Sequence, residues 1–196
     1  MPMLRPNIGL AGDVRRDPEL LSALNRLYDD PKDAVDAPLA CDQKQAHQRW
    51  ENLGAKPNRE RIQNFAQNTF LPPGSDLQPW YPSDHSHFPA LLSHLDNDQI
   101  RKWASHLNDS WLELGRQPSE LTLQFPERST LLSVPHPFII PGGRFREAYY
   151  WDSYWVVLGL IACDMLETSH NIVNNLLHCV DKYGFVPNGL RRCVPI

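Results

Sequence analysis

Apolar residues along this chain recur mostly at the three- and four-residue spacing of a helix face. Leu20, Leu21, Leu24, Leu27 and Tyr28 form the first such stripe. Asp17-Pro18-Glu19 just before it offers a capping acid, a first-turn proline and an acid near the positive helix end. Asp29–Ala40 reads as extended and interrupted by proline. Asp42 caps a second helix that Gly54 closes, and Asn58 starts a third that runs to about Phe70. Leu71–Ala90, with five prolines, reads as a long loop. Asp96, followed three residues later by Gln99, has the form of a capping box. It precedes a long helix striped by Ile100, Trp103, Ala104, Leu107, Trp111 and Leu114. Ser119–Arg146 is irregular, and Leu121–Phe125 is its longest strand-like alternation. Asp152–Leu166 and Ser169–Lys182 are a closing pair of helices, with Gly184 ending the second. The pattern predicts an all-α class with helices joined by long Pro-rich loops and no internal repeat. Residues 1–16 read as a loose tail and residues 17–196 as one domain.

Composition changes this picture little. With 41% hydrophobic and 21% charged residues, the chain is of ordinary globular type. Its net charge of −4 and the lack of a basic run argue against a nucleic-acid partner. No apolar stretch is long enough to span a bilayer; the longest lies around Trp155–Cys163. Met1–Asp17 lacks the apolar core of a signal peptide, so a cytoplasmic location is the default expectation. Cys41, Cys163, Cys179 and Cys193 show no metal-ligand or disulfide spacing. Cys163 and Cys179 are expected in the core.

Candidate chemistry concentrates in Pro141–Tyr154. A Pro-Gly-Gly turn is followed within ten residues by Arg144, Arg146, Glu147, Asp152 and the aromatics Phe145, Tyr149, Tyr150 and Trp151. Forked cations, acceptor carboxylates and flat rings suit a sugar, whose hydroxyls take paired hydrogen bonds and whose C–H face stacks on an aromatic. The same residues also suit a buried ion-pair corner at a helix start. If the last two helices form an antiparallel hairpin, the start of the first and the finish of the second lie at one end. The Arg144–Asp152 and Val186–Arg191 loops should then meet. Elsewhere, Asp84, His85 and His87 fit no strong metal-ligand motif and read as a solvated loop. Cys41, Asp42 and His47 form no supported nucleophile set, and His136 reads as loop packing.

PGGRFREAYYWDSYW (Pro141–Trp155) resembles the first signature of the trehalases, glycosidases that split α,α-trehalose into two glucoses. LYDDPKDAVDAPL (Leu27–Leu39), NFAQNTFLPPG (Asn64–Gly74) and NIVNNLLHCVDKYGFVPNGLR (Asn171–Arg191) resemble further blocks of that family. The resemblance implies an (α/α)6 toroid, of which this chain would be the opening, incomplete part. It implies trehalose and glucose as ligands, no cofactor and no metal. Carried over by position, it implies that Arg144, Phe145, Trp151, Asp152 and Asn188 line the sugar pocket. Arg144 would donate a fork of hydrogen bonds, Asp152 would accept, Asn188 would do both, and the two rings would wall the site. The simpler role for Asp152 is a helix N-cap. Arg146 and Glu147 are expected to brace the loop as an ion pair, and Tyr149 and Tyr150 to pack. Arg191 and Arg192 receive no role.

The resemblance also implies inversion, with one carboxylic acid protonating the glycosidic oxygen and one carboxylate activating water. The family's Gln-Trp-Asp-x-Pro-x-Gly-Trp signature does not occur among these 196 residues, nor do the segments carrying the general acid (Asp) and general base (Glu). The expectation is therefore an amino-terminal portion of a trehalase domain, with no catalytic carboxylate of its own. The alternative is an inactive fragment with a residual sugar-binding or partner-binding role.

Overall fold

The structure, a computed structural model, describes residues 13–192. The first twelve residues of the expected tail, and Cys193, lie outside the described residues. Nine α-helices are present among the described residues. They are α1 (Pro18–Asn25), α2 (Pro31–Asp36), α3 (Gln43–Glu51), α4 (Arg59–Thr69), α5 (Ala90–Ser93), α6 (Asp98–Leu114), α7 (Glu120–Gln124), α8 (Tyr150–Ala162) and α9 (Leu166–Tyr183). Three short strands, β1 (Leu77–Pro79), β2 (Gly115–Pro118) and β3 (Phe138–Ile139), form one sheet in that order. The protein is thus mostly helical, with a small sheet that the hydrophobic pattern does not predict. The described residues group into two compact units.

Among the described residues, the first unit takes in 13–77, Pro118–Leu132 and 191–192. Its helices start as the sequence indicates. Asp17 accepts from the backbone N–H of Glu19 and Leu20, Asp42 from Gln45 and Asn58 from Arg61. Asp29–Ala40, expected to be extended, instead contains α2. Asp30 caps it and Pro31 opens it, the same Asp-Pro start as in α1. Leu121–Phe125, the strand-like alternation, is largely the short helix α7, capped by Ser119. Val14–Arg16 form a 3-10 turn capped by Asp13, and Asp13, Val14 and Arg15 are buried, because Arg15 carries its charge inward to a built partner. Its guanidinium meets Asp13 at 2.8 and 2.9 Å and donates to the carbonyl of Ala37 at 2.9 Å. The core gathers Leu20 and Leu24 of α1, Ala46 of α3 and Phe65 and Ala66 of α4 around Leu39 and Phe70. Trp50 and Phe65 meet at 5.6 Å between ring centroids, and Phe65 and Phe70 at 6.1 Å.

A second buried polar network lies in this unit. Arg191, which carried no expected role, reaches Asp76 through both terminal nitrogens, at 2.6 and 3.0 Å. Its Nε lies 3.1 Å from Asp36, which also holds Lys32 at 2.6 Å. Thr130 Oγ1 accepts from Arg191 at 3.0 Å, and Ser129 Oγ donates to Asp76 at 2.6 Å. All of these carboxylates are buried, so the fork geometry of arginine is what makes the burial tolerable.

The second unit comprises Gln78–Gln117 and Ser133–Leu190. In its sheet, β2 pairs antiparallel with β3, with Gly115 opposite Ile139. Helix α6 begins one residue later than expected: Asn97 is the cap, accepting from Gln99 and Ile100, so Asp96 is not. Its apolar stripe divides. Trp111 and Leu114 pack on the core of Ile139, Leu160, Cys163, Met165 and Ile172, whereas Ile100, Trp103 and Leu107 are exposed, Trp103 by 63%. Helices α8 and α9 pack against each other as consecutive elements. They turn through Cys163–Met165, where Asp164 adopts a left-handed φ of 60°. Gly159 of α8 faces the Trp111 ring so closely that a Cβ there would sit 2.8 Å from it.

Candidate functional site

The Pro141–Tyr154 segment builds its geometry from the turn outward. Gly142 and Gly143 both take left-handed φ values, 99° and 60°. The turn closes through Phe145 N–H donating to the Gly142 carbonyl at 3.1 Å. Arg144 and Phe145 are exposed at its tip. The Arg144 guanidinium lies 5.6 Å from the Phe145 ring centroid, and that ring meets Tyr149 edge-on at 5.4 Å. Glu147 is buried and accepts from the Tyr149 hydroxyl at 2.6 Å. This contact braces the loop from within.

The second loop meets the first. Tyr150 N–H donates to the Asn188 carbonyl at 2.9 Å, and Leu190 N–H to the Ala148 carbonyl at 3.0 Å. Between these bonds Tyr149 and Gly189 form an antiparallel bridge. A Cβ at Gly189 would lie 3.2 Å from the Tyr149 ring, so close packing favours glycine there. The two ends of the α8–α9 hairpin therefore adjoin, as the hairpin argument predicts.

The expected residues are placed as follows. Trp151 is 71% exposed on the first turn of α8. Asp152 is half-buried at the third position of that helix, and it is not the N-cap: Tyr149 holds that position without a side-chain cap. Asn188 is exposed, with its carbonyl fixed by Tyr150. Tyr149 packs as expected, but Tyr150 is exposed. It joins Trp151, Tyr154, Trp155, Val173 and Leu176 along an apolar groove of about 520 Å³. Tyr154 and Trp155 meet at 5.0 Å and Trp151 and Trp155 at 6.3 Å, all at steep ring angles. Of the five expected residues, Trp151 lines this groove. Tyr150 lines it too instead of packing, and Tyr154 and Trp155 carry no expected role. The signal was present in α8, which is apolar on every face and so cannot bury all of them against one neighbour.

The trehalase family model matches residues 26–193. The chain belongs to the trehalase family. It is 41% identical to the trehalase of Homo sapiens over 179 residues, which is 88% of this chain and 31% of that protein. It is 38% identical to the trehalase of Bombyx mori over 170 residues, 85% of this chain and 29% of that one. A probable trehalase of Oryza sativa subsp. japonica is 36% identical over 204 residues, covering 96% and 36%. The chain thus spans about a third of the length of the relatives it matches. Among the described residues of this family member, no helix is long and apolar enough to cross a membrane.

Proposed function

We propose that this chain forms the sugar-binding opening part of a trehalase-type catalytic domain that hydrolyses α,α-trehalose to two glucoses. The observation that carries the reading is the joining of the signature loop to the Pro187-Asn188-Gly189 loop through Tyr150 and Asn188. That join sets the residues implied as sugar contacts on two adjoining loops at one end of a helix hairpin. Arg144 donates its fork to glucose hydroxyls, and Asp152 and Asn188 supply acceptors and a donor. Phe145 and Trp151 offer apolar faces to the ring.

The fuller domain is an (α/α)6 toroid, in which α6, α8 and α9 find neighbours for the apolar residues they now expose. Supporting this are the exposed Trp103 and Leu107 on α6, Trp155 and Ile161 on α8, and Leu177 and Val180 on α9. Hydrolysis proceeds with inversion, which calls for two carboxyl groups about 6.5–9.5 Å apart with water between one of them and the anomeric carbon. Both come from segments other than these 196 residues, and Glu147 is not one of them, being buried against Tyr149.

The test is glucose release from trehalose. The purified chain should release none. Placed in a full-length trehalase in exchange for the matching third, it should support hydrolysis that yields one α- and one β-glucose. Turnover by the chain alone would overturn the assignment of acid and base. A folded but inactive exchange protein would overturn the assignment of this chain to the sugar site.

A further inference from the structure

Asp84, His85 and His87 carry no metal-ligand spacing, and the structure shows why Asp84 should be set aside. Its Oδ2 accepts from the backbone N–H of Thr168 at 2.9 Å and its Oδ1 from the Thr168 hydroxyl at 2.5 Å. Thr168 sits in the first turn of α9, whose own N-cap, Met165, offers no side-chain acceptor. Asp84 is thus a cap supplied from a distant loop, with both oxygens engaged.

The histidines turn instead toward α6. The His87 Nδ1 lies 2.7 Å from Asp109 Oδ1, and the His85 Nε2 lies 3.8 Å from the same oxygen. The two imidazoles stand edge to face, 5.0 Å apart. One ligand atom from each of the three side chains falls within 4.8 Å of the others. A hydrogen bond between His87 and Asp109 accounts for one imidazole. A second imidazole, the almost wholly buried His85, brings its Nε2 within 3.8 Å of the same carboxylate.

The loop that carries both histidines is also anchored. The buried Asn108 donates through Nδ2 to the Ser86 carbonyl at 2.8 Å and approaches the His85 Nε2 at 3.2 Å. The Asn108 carbonyl is likewise 3.2 Å from that nitrogen. With the proton on Nδ1, the His85 Nε2 lone pair accepts from Asn108 Nδ2, and a metal ion would take that lone pair in place of the amide.

We propose that His85, His87 and Asp109 form a binding site for a divalent transition-metal ion of the zinc class. Two imidazoles and a carboxylate are the donors such ions take at about 2.0–2.2 Å. Tetrahedral bonds of that length set ligand atoms about 3.3 Å apart. The present separations bracket that value, and the His87 side chain, 63% exposed, is free to rotate to it. The fourth position faces solvent beside His87 and takes water. The bound ion would tie the loop after Pro82 to α6, holding the segment from which Asp84 caps α9. This departs from the sequence expectation of no metal, because Asp109 is brought in from 22 residues beyond His87.

The site is tested on the full chain, dialysed free of metal and titrated with Zn²⁺ by calorimetry and with Co²⁺ by visible absorption. The expected result is one ion per chain and a thermal midpoint that rises on adding zinc. His87→Gln, at an exposed position, and Asp109→Asn, at a half-buried one, should each weaken zinc binding by about tenfold or more and abolish the thermal shift. Their unliganded circular dichroism should match the unsubstituted chain. No uptake by the unsubstituted chain would overturn the proposal, as would uptake that both variants retain. Intense thiolate-to-cobalt bands would place the ion on cysteine and overturn it equally.

Discussion

Replacing Arg191 with methionine isolates the largest buried charge network in the first unit. Methionine keeps most of the stem volume and removes the guanidinium. Asp76 then loses two hydrogen bonds, at 2.6 and 3.0 Å, and its counter-charge, with its side chain 0% exposed. Ser129 still donates to Asp76, and Lys32 still holds Asp36, but neither contact neutralises Asp76. Removing one partner of a buried ion pair costs about 3–5 kcal/mol, against a total stability of about 5–15 kcal/mol for a domain. With a urea slope near 2 kcal/mol/M, the midpoint should fall by roughly 2 M at unchanged slope. Tryptophan fluorescence reports the unit through Trp50, which packs on its core. Arg191→Lys should fall between, because an ammonium keeps the charge and loses the fork. Adding Asp76→Asn to Arg191→Met should recover part of the loss. A midpoint for Arg191→Met within about 0.5 M of that of the unsubstituted chain, about 1 kcal/mol at this slope, would refute the argument that this network secures the unit.

Gly115→Ala should destabilise the second unit by about 1–3 kcal/mol or more, since the new Cβ would meet the Trp80 carbonyl oxygen at 2.1 Å and the backbone must shift; thermal melts of the variant measure it. Burial pushes the Asp13 carboxyl up, but the hydrogen bonds and charge of Arg15 outweigh it and hold the group below the usual carboxylate range. Its contribution is therefore fully present above about pH 4 and is lost as pH falls through the folded value; Asp13→Asn should flatten that part of the acid-stability curve. Exposed Trp151, Tyr154, Trp155, Leu177 and Val180 should make the chain bind an apolar dye and self-associate with concentration. Trp155→Lys should reduce both, and sedimentation would reveal any failure to do so.

Local signals were legible in the sequence and distant ones were not. Asp17, Asp42 and Asn58 are legible as caps because each acts on backbone two or three residues ahead. The same Asp-Pro start at Asp30-Pro31 is harder to see, because no apolar stripe follows to mark the proline as a first helical residue rather than an interruption. Leu121–Phe125 shows how five residues can satisfy an alternating pattern and still form a helical turn once Ser119 caps them. The α6 stripe is legible as a face, but periodicity does not say whether a face is covered. Arg191, Asp76 and Asp36 come from three separate stretches of chain, and no spacing rule links them. At the candidate site, the joining of two loops followed from hairpin geometry alone. The burial of Glu147 beneath Tyr149 did not, because its partner depends on how the turn at Gly142 and Gly143 directs the chain.

The central claim is that the Arg144–Asp152 segment with Asn188 holds glucose in a trehalase site. Its most direct measurement is kcat/KM for trehalose of a full-length trehalase carrying this chain in place of its own matching third, with and without Asp152→Asn. A hydrogen bond from a substrate hydroxyl to a charged acceptor contributes about 1.5–3 kcal/mol, so the variant should lose about tenfold to a hundredfold in kcat/KM with an unchanged thermal midpoint. An Asp152→Asn protein that hydrolyses trehalose as well as its parent would contradict the account.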